Sequence, residues 1–133
     1  MNAPRHLLHK PIIAVNDYDK IDGIYASKSD AKALSIGQAQ YDEDQISVKV
    51  FRHTGNKWSR QSEELPMHRA LDLAILIIMG IFGDPVSTVV HSSLNEEIID
   101  PDRWHEIKEY YNNNRKHLQP RLEEIKSLLD RVL

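Results

Sequence analysis

The 133-residue chain has no cysteine. Disulfide staples and thiolate metal sites are therefore excluded, and packing and hydrogen bonding must hold the fold. No apolar run is long enough for a membrane. The most apolar stretch, residues 70–82, is interrupted by Asp72 and Gly80. It falls short of the roughly 17–25 residues that a spanning helix needs. The first ten residues, MNAPRHLLHK, lack the apolar segment of about 7–15 residues that marks a secretory signal, and they read as a loose arm. An excess of positive charge is missing too. With 17 basic and 20 acidic residues the net charge is −3, which gives no general electrostatic case for nucleic acid. The phosphate loop G-x-x-x-x-G-K-[ST], the fingerprint G-x-G-x-x-G, the zinc motif H-E-x-x-H and the nucleophile elbow G-x-S-x-G are all absent. These absences lead to the expectation of one soluble, cytoplasmic domain, residues 1–133, with no cofactor, no bound metal and no membrane association.

The chain is organised around SEELPMHRALDLAILIIMGIFG, residues 62–83. Its second half is apolar on every face, so as a helix it is expected to be buried on most sides. The helix should start within 62–66. Ser62 can cap it, Glu63 and Glu64 suit the positive end of its dipole, and Pro66 is tolerated in a first turn and not later. Gly83 should end it, with Asp84-Pro85 opening the next element. Upstream, Ile12, Ile13 and Val15 suggest a short strand, and Ser29 a cap for a short helix over 30–34. Strands are expected at about 35–41, 45–53 and 57–61, with a turn at Thr54-Gly55-Asn56. In the clearest of them, Ile46, Val48 and Val50 alternate with Ser47, Lys49 and Phe51, and the apolar set should face the helix. Residues 86–91 read as a weak helix or short strand, and Ser93 with Glu96 as a capping box for a helix over 94–99. A stripe of Trp104, Ile107, Tyr111, Leu118, Leu122, Ile125, Leu129 and Val132 predicts helix to the end, kinked at Pro120. The expected fold is α+β: a small antiparallel β-meander packed on a buried central helix, then a helical C-terminal half with a long kinked helix.

Trp58-Ser59-Arg60-Gln61-Ser62-Glu63-Glu64-Leu65-Pro66, with His68-Arg69, carries a resemblance. Over residues 33–76 the sequence resembles DUF6530, a bacterial family of unknown function. The resemblance implies a bacterial source and a standalone small protein. It implies no activity, ligand or catalytic residue.

The sharpest candidate cluster is Arg60, Glu63, Glu64, His68, Arg69 and Asp72. On a helix, Glu64, His68 and Asp72 are four apart and share one face. They could bind a ligand, act as a small hydrolase site, or form a structural ion-pair network. Asp72 lies inside an apolar run, so it is expected to be buried and paired, most simply with Arg69 or His68. Ser62, His68 and Asp72 supply the residue types of a catalytic triad, without the elbow motif. Asp17-x-Asp19 begins like a calcium loop, but Ile21 stands at its fifth position and no Glu follows in register, so a solvated turn is expected. Lys49, Arg52, Lys57 and Arg60 interleave with Phe51 and Trp58 over 49–60, a pattern that can bind single-stranded nucleic acid but more often solubilises an edge strand. The leading expectation is a non-catalytic binding or regulatory protein that acts through protein contacts. The alternatives are a hydrolase using Glu64, His68 and Asp72, and a nucleic-acid binder. A helix carrying the whole stripe would be longer than a compact domain of this size is wide. It predicts a homodimer with Ile125, Leu129 and Val132 in the contact.

Overall fold

The computed structural model describes residues 1–60, 62–84 and 92–133. The expectation for 86–91 lies outside the described residues. The chain is α+β and comprises two compact units, Met1–Leu71 and Asp72–Leu133. The first holds a four-stranded antiparallel sheet; the second continues the helix that begins at Met67 and is helical towards the C-terminus.

The sheet runs in the order β1 (Lys10–Asn16), β2 (Ala31–Gln38), β3 (Ile46–Arg52) and β4 (Glu64–Pro66). The expected short strand near Ile13 is β1, and β3 lies inside the expected 45–53. Three expectations are corrected. Residues 30–34 do not form a helix. Ser29 Oγ accepts the Ala31 N–H at 2.9 Å, a turn contact that leads into β2 rather than into a helix. From Ala31 onward β2 alternates buried and more exposed positions, the period of a strand. No strand forms over 57–61 among the described residues. The chain returns from β3 by one isolated bridge, His53 to Trp58, with the Thr54 N–H donating to the Lys57 carbonyl at 2.9 Å. The true neighbour of β3 is β4, where Ser47 pairs with Pro66, Val48 with Leu65 and Lys49 with Glu64. The central helix, α1 (Met67–Phe82), therefore starts after Pro66. A proline lacks an N–H, and at the sheet edge that donor is not needed.

The inward face of the sheet is the reverse of what the alternation predicts. Ala31, Ala33, Ser35 and Gly37 of β2 are buried with Ser47, Lys49 and Phe51 of β3. The large aliphatic residues point the other way: Ile13 is 64% exposed and Val15, Ile36 and Ile46 are also exposed. Small side chains on β2 leave room for the N-terminal segment to approach. The first ten residues are not a loose arm, because Pro4 and His9 are buried. The His9 ring meets Phe51 edge-on at 5.5 Å. Asp17 and Asp19 bond within the chain: Asp17 to the Met1 amino group and Asp19 to Lys32 at 3.4 Å.

In the second unit, α2 (Trp104–Asn113) and α3 (Arg115–Val132) follow a 3-10 turn at Pro101–Arg103. Burial of α1 falls short of its composition: Ile81 is its one buried residue, while Leu71, Ile77 and Phe82 are more than half exposed. Near the C-terminal end of α1, the Phe82 and Tyr111 rings meet at 5.4 Å. Lys108 Nζ donates to the carbonyls of Ile81 and Gly83 at 3.1 and 2.7 Å, which satisfies the negative end of the helix dipole. No helix forms over 94–99. Glu96 bonds Ser92 rather than Ser93, through Ser92 Oγ at 2.6 Å and the Ser92 N–H at 3.2 Å. The C-terminal helix breaks at Asn114, not at Pro120, which lies inside α3. The Asn114 side-chain amide donates to the Tyr110 carbonyl at 2.8 Å, a local bond that competes with the helix.

Gly37 is the tightest point of the β1–β2 pairing. A Cβ there would fall on the Lys10 carbonyl and lie 2.9 Å from Pro11 Cα. Backbone cannot swing aside as a side-chain tip can. Gly37→Ala should therefore cost about 2–3 kcal/mol of stability, read as a lower urea midpoint at unchanged m-value. A wild-type midpoint would mean that β1 can shift off β2 at no cost.

Candidate functional site

The inward face of the sheet carries a polar core. His9 is fully buried just ahead of β1. Its Nδ1 lies 3.0 Å from Ser47 Oγ on β3 and 3.1 Å from Glu64 Oε1 on β4, and its Nε2 lies 3.0 Å from Ser35 Oγ on β2. A carboxylate only accepts, so Nδ1 carries the proton that faces Glu64. Glu64 Oε1 also accepts from Ser47 Oγ at 2.6 Å and from the Gln40 N–H at 2.9 Å. Burial by itself would raise the Glu64 carboxyl. The hydrogen bonds from Ser47, Gln40 and His9 and the charge of Lys49 oppose that and hold it below the ordinary carboxylate range.

Ser35, His9 and Glu64 stand in the order of a serine-hydrolase relay. Ser35 and His9 are both buried. This relay acts as a tie across the strands. The core opens to the outside at Lys49. Its ammonium lies 4.0 Å from Glu64 Oε2, beyond hydrogen-bond reach, and 5.5 Å from the centre of the Phe51 ring. Lys49 lines a cleft of about 750 Å³ with His6, Gln40, His53, Lys57, Trp58 and Arg60. Trp58 is half-buried and held by edge-on contacts to Phe51 at 5.8 Å and His53 at 4.9 Å. On the other side of the sheet, Ile13, Val15, Leu34, Ile36, Val48 and Leu65 line an apolar groove of about 390 Å³.

The six residues of the sequence-derived cluster occupy separate settings. Glu64 is on β4, not on a helix, so it shares no helical face with His68 and Asp72. Glu63 is tied to Arg52, whose Nη2 and Nε reach its carboxylate at 2.6 and 3.1 Å while Nη1 reaches Asp30 at 2.6 Å. The Arg52 hydrogen bonds lower the Glu63 carboxyl, against a smaller effect of burial, and the two carboxylates raise the Arg52 guanidinium. Arg60 stands at the cleft. His68 and Arg69 are exposed on the first turn of α1. Asp72 is half-buried, and among the described residues it forms no ion pair, contrary to the expected buried pair. The first turns of α1 leave enough solvent around it to hydrate its charge. Sequence reasoning missed His9, Ser35 and Ser47. Ser47 and Lys49 were visible as the polar set of β3; His9 had no local signal.

Because the folded-state pKa of Glu64 is depressed, its stabilising effect is present above the unfolded carboxyl value, about 4.3, and fades as pH falls through the folded value. Glu64→Gln should cost about 1–3 kcal/mol at pH 7 and flatten the acid limb of a stability–pH curve. Urea titrations from pH 7 downward measure both. An acid limb as steep in the variant as in wild type would take Glu64 out of the ledger.

No curated protein and no solved structure is similar to this chain. A family model matches residues 1–82, which include the whole sheet and α1. That match extends on both sides of residues 33–76, the segment that carries the resemblance. The chain belongs to DUF6530, a family of unknown function.

Proposed function

We propose that this is a small bacterial, cytoplasmic, non-catalytic binding protein that acts through protein contacts, first of all with a second copy of itself. The observation that carries this reading is the outward apolar face of the sheet. Ile13 and Val15 of β1, Leu34 and Ile36 of β2, Val48 of β3 and Leu65 after Glu64 form one groove with almost no polar surface. An exposed face of this kind marks an interaction site more often than a bare surface.

The chain carries a complementary surface. Leu71, Leu73, Leu76, Ile77 and Phe82 of α1 are exposed, and a helix laid on a sheet is a standard way to cover both. A two-fold pair of chains would let each α1 cover the partner's sheet. The C-terminal stripe is the other candidate contact, because Ile125, Leu129 and Val132 of α3 are exposed. Among the described residues no helix is long and apolar enough to cross a membrane.

Sedimentation velocity tests this. The full chain should run at twice its 15.4 kDa mass at micromolar concentration. Ile36→Asp, placed on the outward face, should give a folded monomer with an unchanged far-ultraviolet circular dichroism spectrum. Leu129→Glu should leave the dimer intact. Dissociation by Leu129→Glu alone would move the contact to the C-terminal stripe, and a wild-type monomer would end the self-association reading.

A further inference from the structure

The cleft on the inward side of the sheet has a chemistry of its own. Its cationic and potentially cationic side chains are Lys49, Lys57, Arg60, His6 and His53, and no carboxylate lines it. Among the described residues, Lys57 and Arg60 form no ion pair, so their charge is free to act on a ligand.

Lys49 is the residue that asks for an occupant. It is 7% exposed and lines the cleft. An ammonium has three donors, and a buried one is costly unless they are satisfied. Glu64 compensates the charge through Oε2 at 4.0 Å, while its Oε1 serves Ser47, Gln40 and His9. No hydrogen bond from Lys49 Nζ to a described residue fills the gap. Where the cleft opens at Lys49, an anionic oxygen would replace solvent as the acceptor for its ammonium.

The second half of the cleft is aromatic. Trp58 is fixed by its two edge-on ring contacts, so it presents a rigid surface at little entropic cost. The Gly55 N–H donates to His53 Nδ1 at 3.1 Å. In the neutral ring that leaves Nε2 protonated, a second donor beside Trp58. Leu7 adds apolar surface. A volume of about 750 Å³ falls within the range for small organic ligands and is bounded by the N-terminal segment, unlike an open strand-binding groove.

We propose that this cleft binds a small planar organic anion of the nucleoside monophosphate class. The phosphate would meet Lys49, with Arg60 and Lys57 at the mouth, and the ring would lie against Trp58. This site is independent of the outward apolar face, so either reading can fail without the other.

Isothermal titration of the full chain at low salt with adenosine monophosphate, uridine monophosphate, inorganic phosphate and a ten-residue oligothymidylate tests it. A nucleoside monophosphate should bind one per chain, and more tightly than inorganic phosphate. Arg60→Gln and Lys57→Gln change exposed side chains, so both variants should fold and should each weaken binding about fivefold. Lys49→Met should weaken it about tenfold or more, and Trp58→Leu should bring the nucleotide down to the affinity of phosphate. The absence of saturable heat with either nucleotide would overturn the proposal. So would unchanged binding in Arg60→Gln and Lys57→Gln together, which holds even if Lys49→Met fails to fold. Phosphate binding as well as the nucleotides would remove the ring. Tight, steeply salt-dependent binding of the oligonucleotide with none of the monophosphates would replace the small ligand by a single strand.

Discussion

The Glu64 carboxylate is the interaction on which the N-terminal sheet depends. It draws in a serine from β3, a histidine from the segment before β1, a backbone N–H from just after β2, and the charge of Lys49. His9, Ser47 and Lys49 would each be costly to bury alone. Together with Glu64 they form a largely buried network, with the Gln40 N–H at its exposed edge and Lys49 contributing charge alone. Such a network is close to all-or-none, since removal of the carboxylate strands several buried donors at once. It explains why a chain without cysteines can hold a segment as polar as its first ten residues against a sheet.

That network sets the two faces of the sheet. Because polar and small side chains point inward, the large aliphatic side chains of alternate positions have to point outward. The result is two surfaces with different chemistries on opposite sides. One is a cleft with a largely buried lysine, two exposed cations and an indole. The other is an apolar groove with almost no polar surface, although Lys49 and Glu63 are among the residues that line it. Lys49 lines both, and the other residues of the two surfaces are distinct.

Much of the fold can be read from local pattern. The alternation Ile46-Ser47-Val48-Lys49-Val50-Phe51 marks β3, and the stripe through Trp104 and Tyr111 marks the helical C-terminal half. The errors cluster where a local signal has two uses. Ser29 caps a turn as readily as a helix. Glu63-Glu64-Leu65-Pro66 looks like a first helical turn, yet Glu64 and Leu65 pair with β3 and postpone the helix to Met67. Of the candidate site, the sequence singles out Glu64 for a helical geometry that does not exist, and Arg60 within both the charged cluster and the basic hairpin. The basic and aromatic residues of 49–60 were seen as a group and do line one cleft, apart from Phe51 and Arg52, which lie in the core and in an ion-pair network.

The amino-acid order alone establishes the class of fold, the order of sheet and helices, and the presence of basic and aromatic residues around one hairpin. Those follow from period and composition within a few residues, where chain connectivity limits the choices. It does not establish which face of β3 is inside. That depends on His9, which meets Ser47 across 38 positions and Glu64 across 55. Hydrophobicity alone favours burying Ile46, Val48 and Val50. A carboxylate, a histidine and two serines that satisfy one another remove the penalty for burying the polar face, and that balance exists only once distant segments have met.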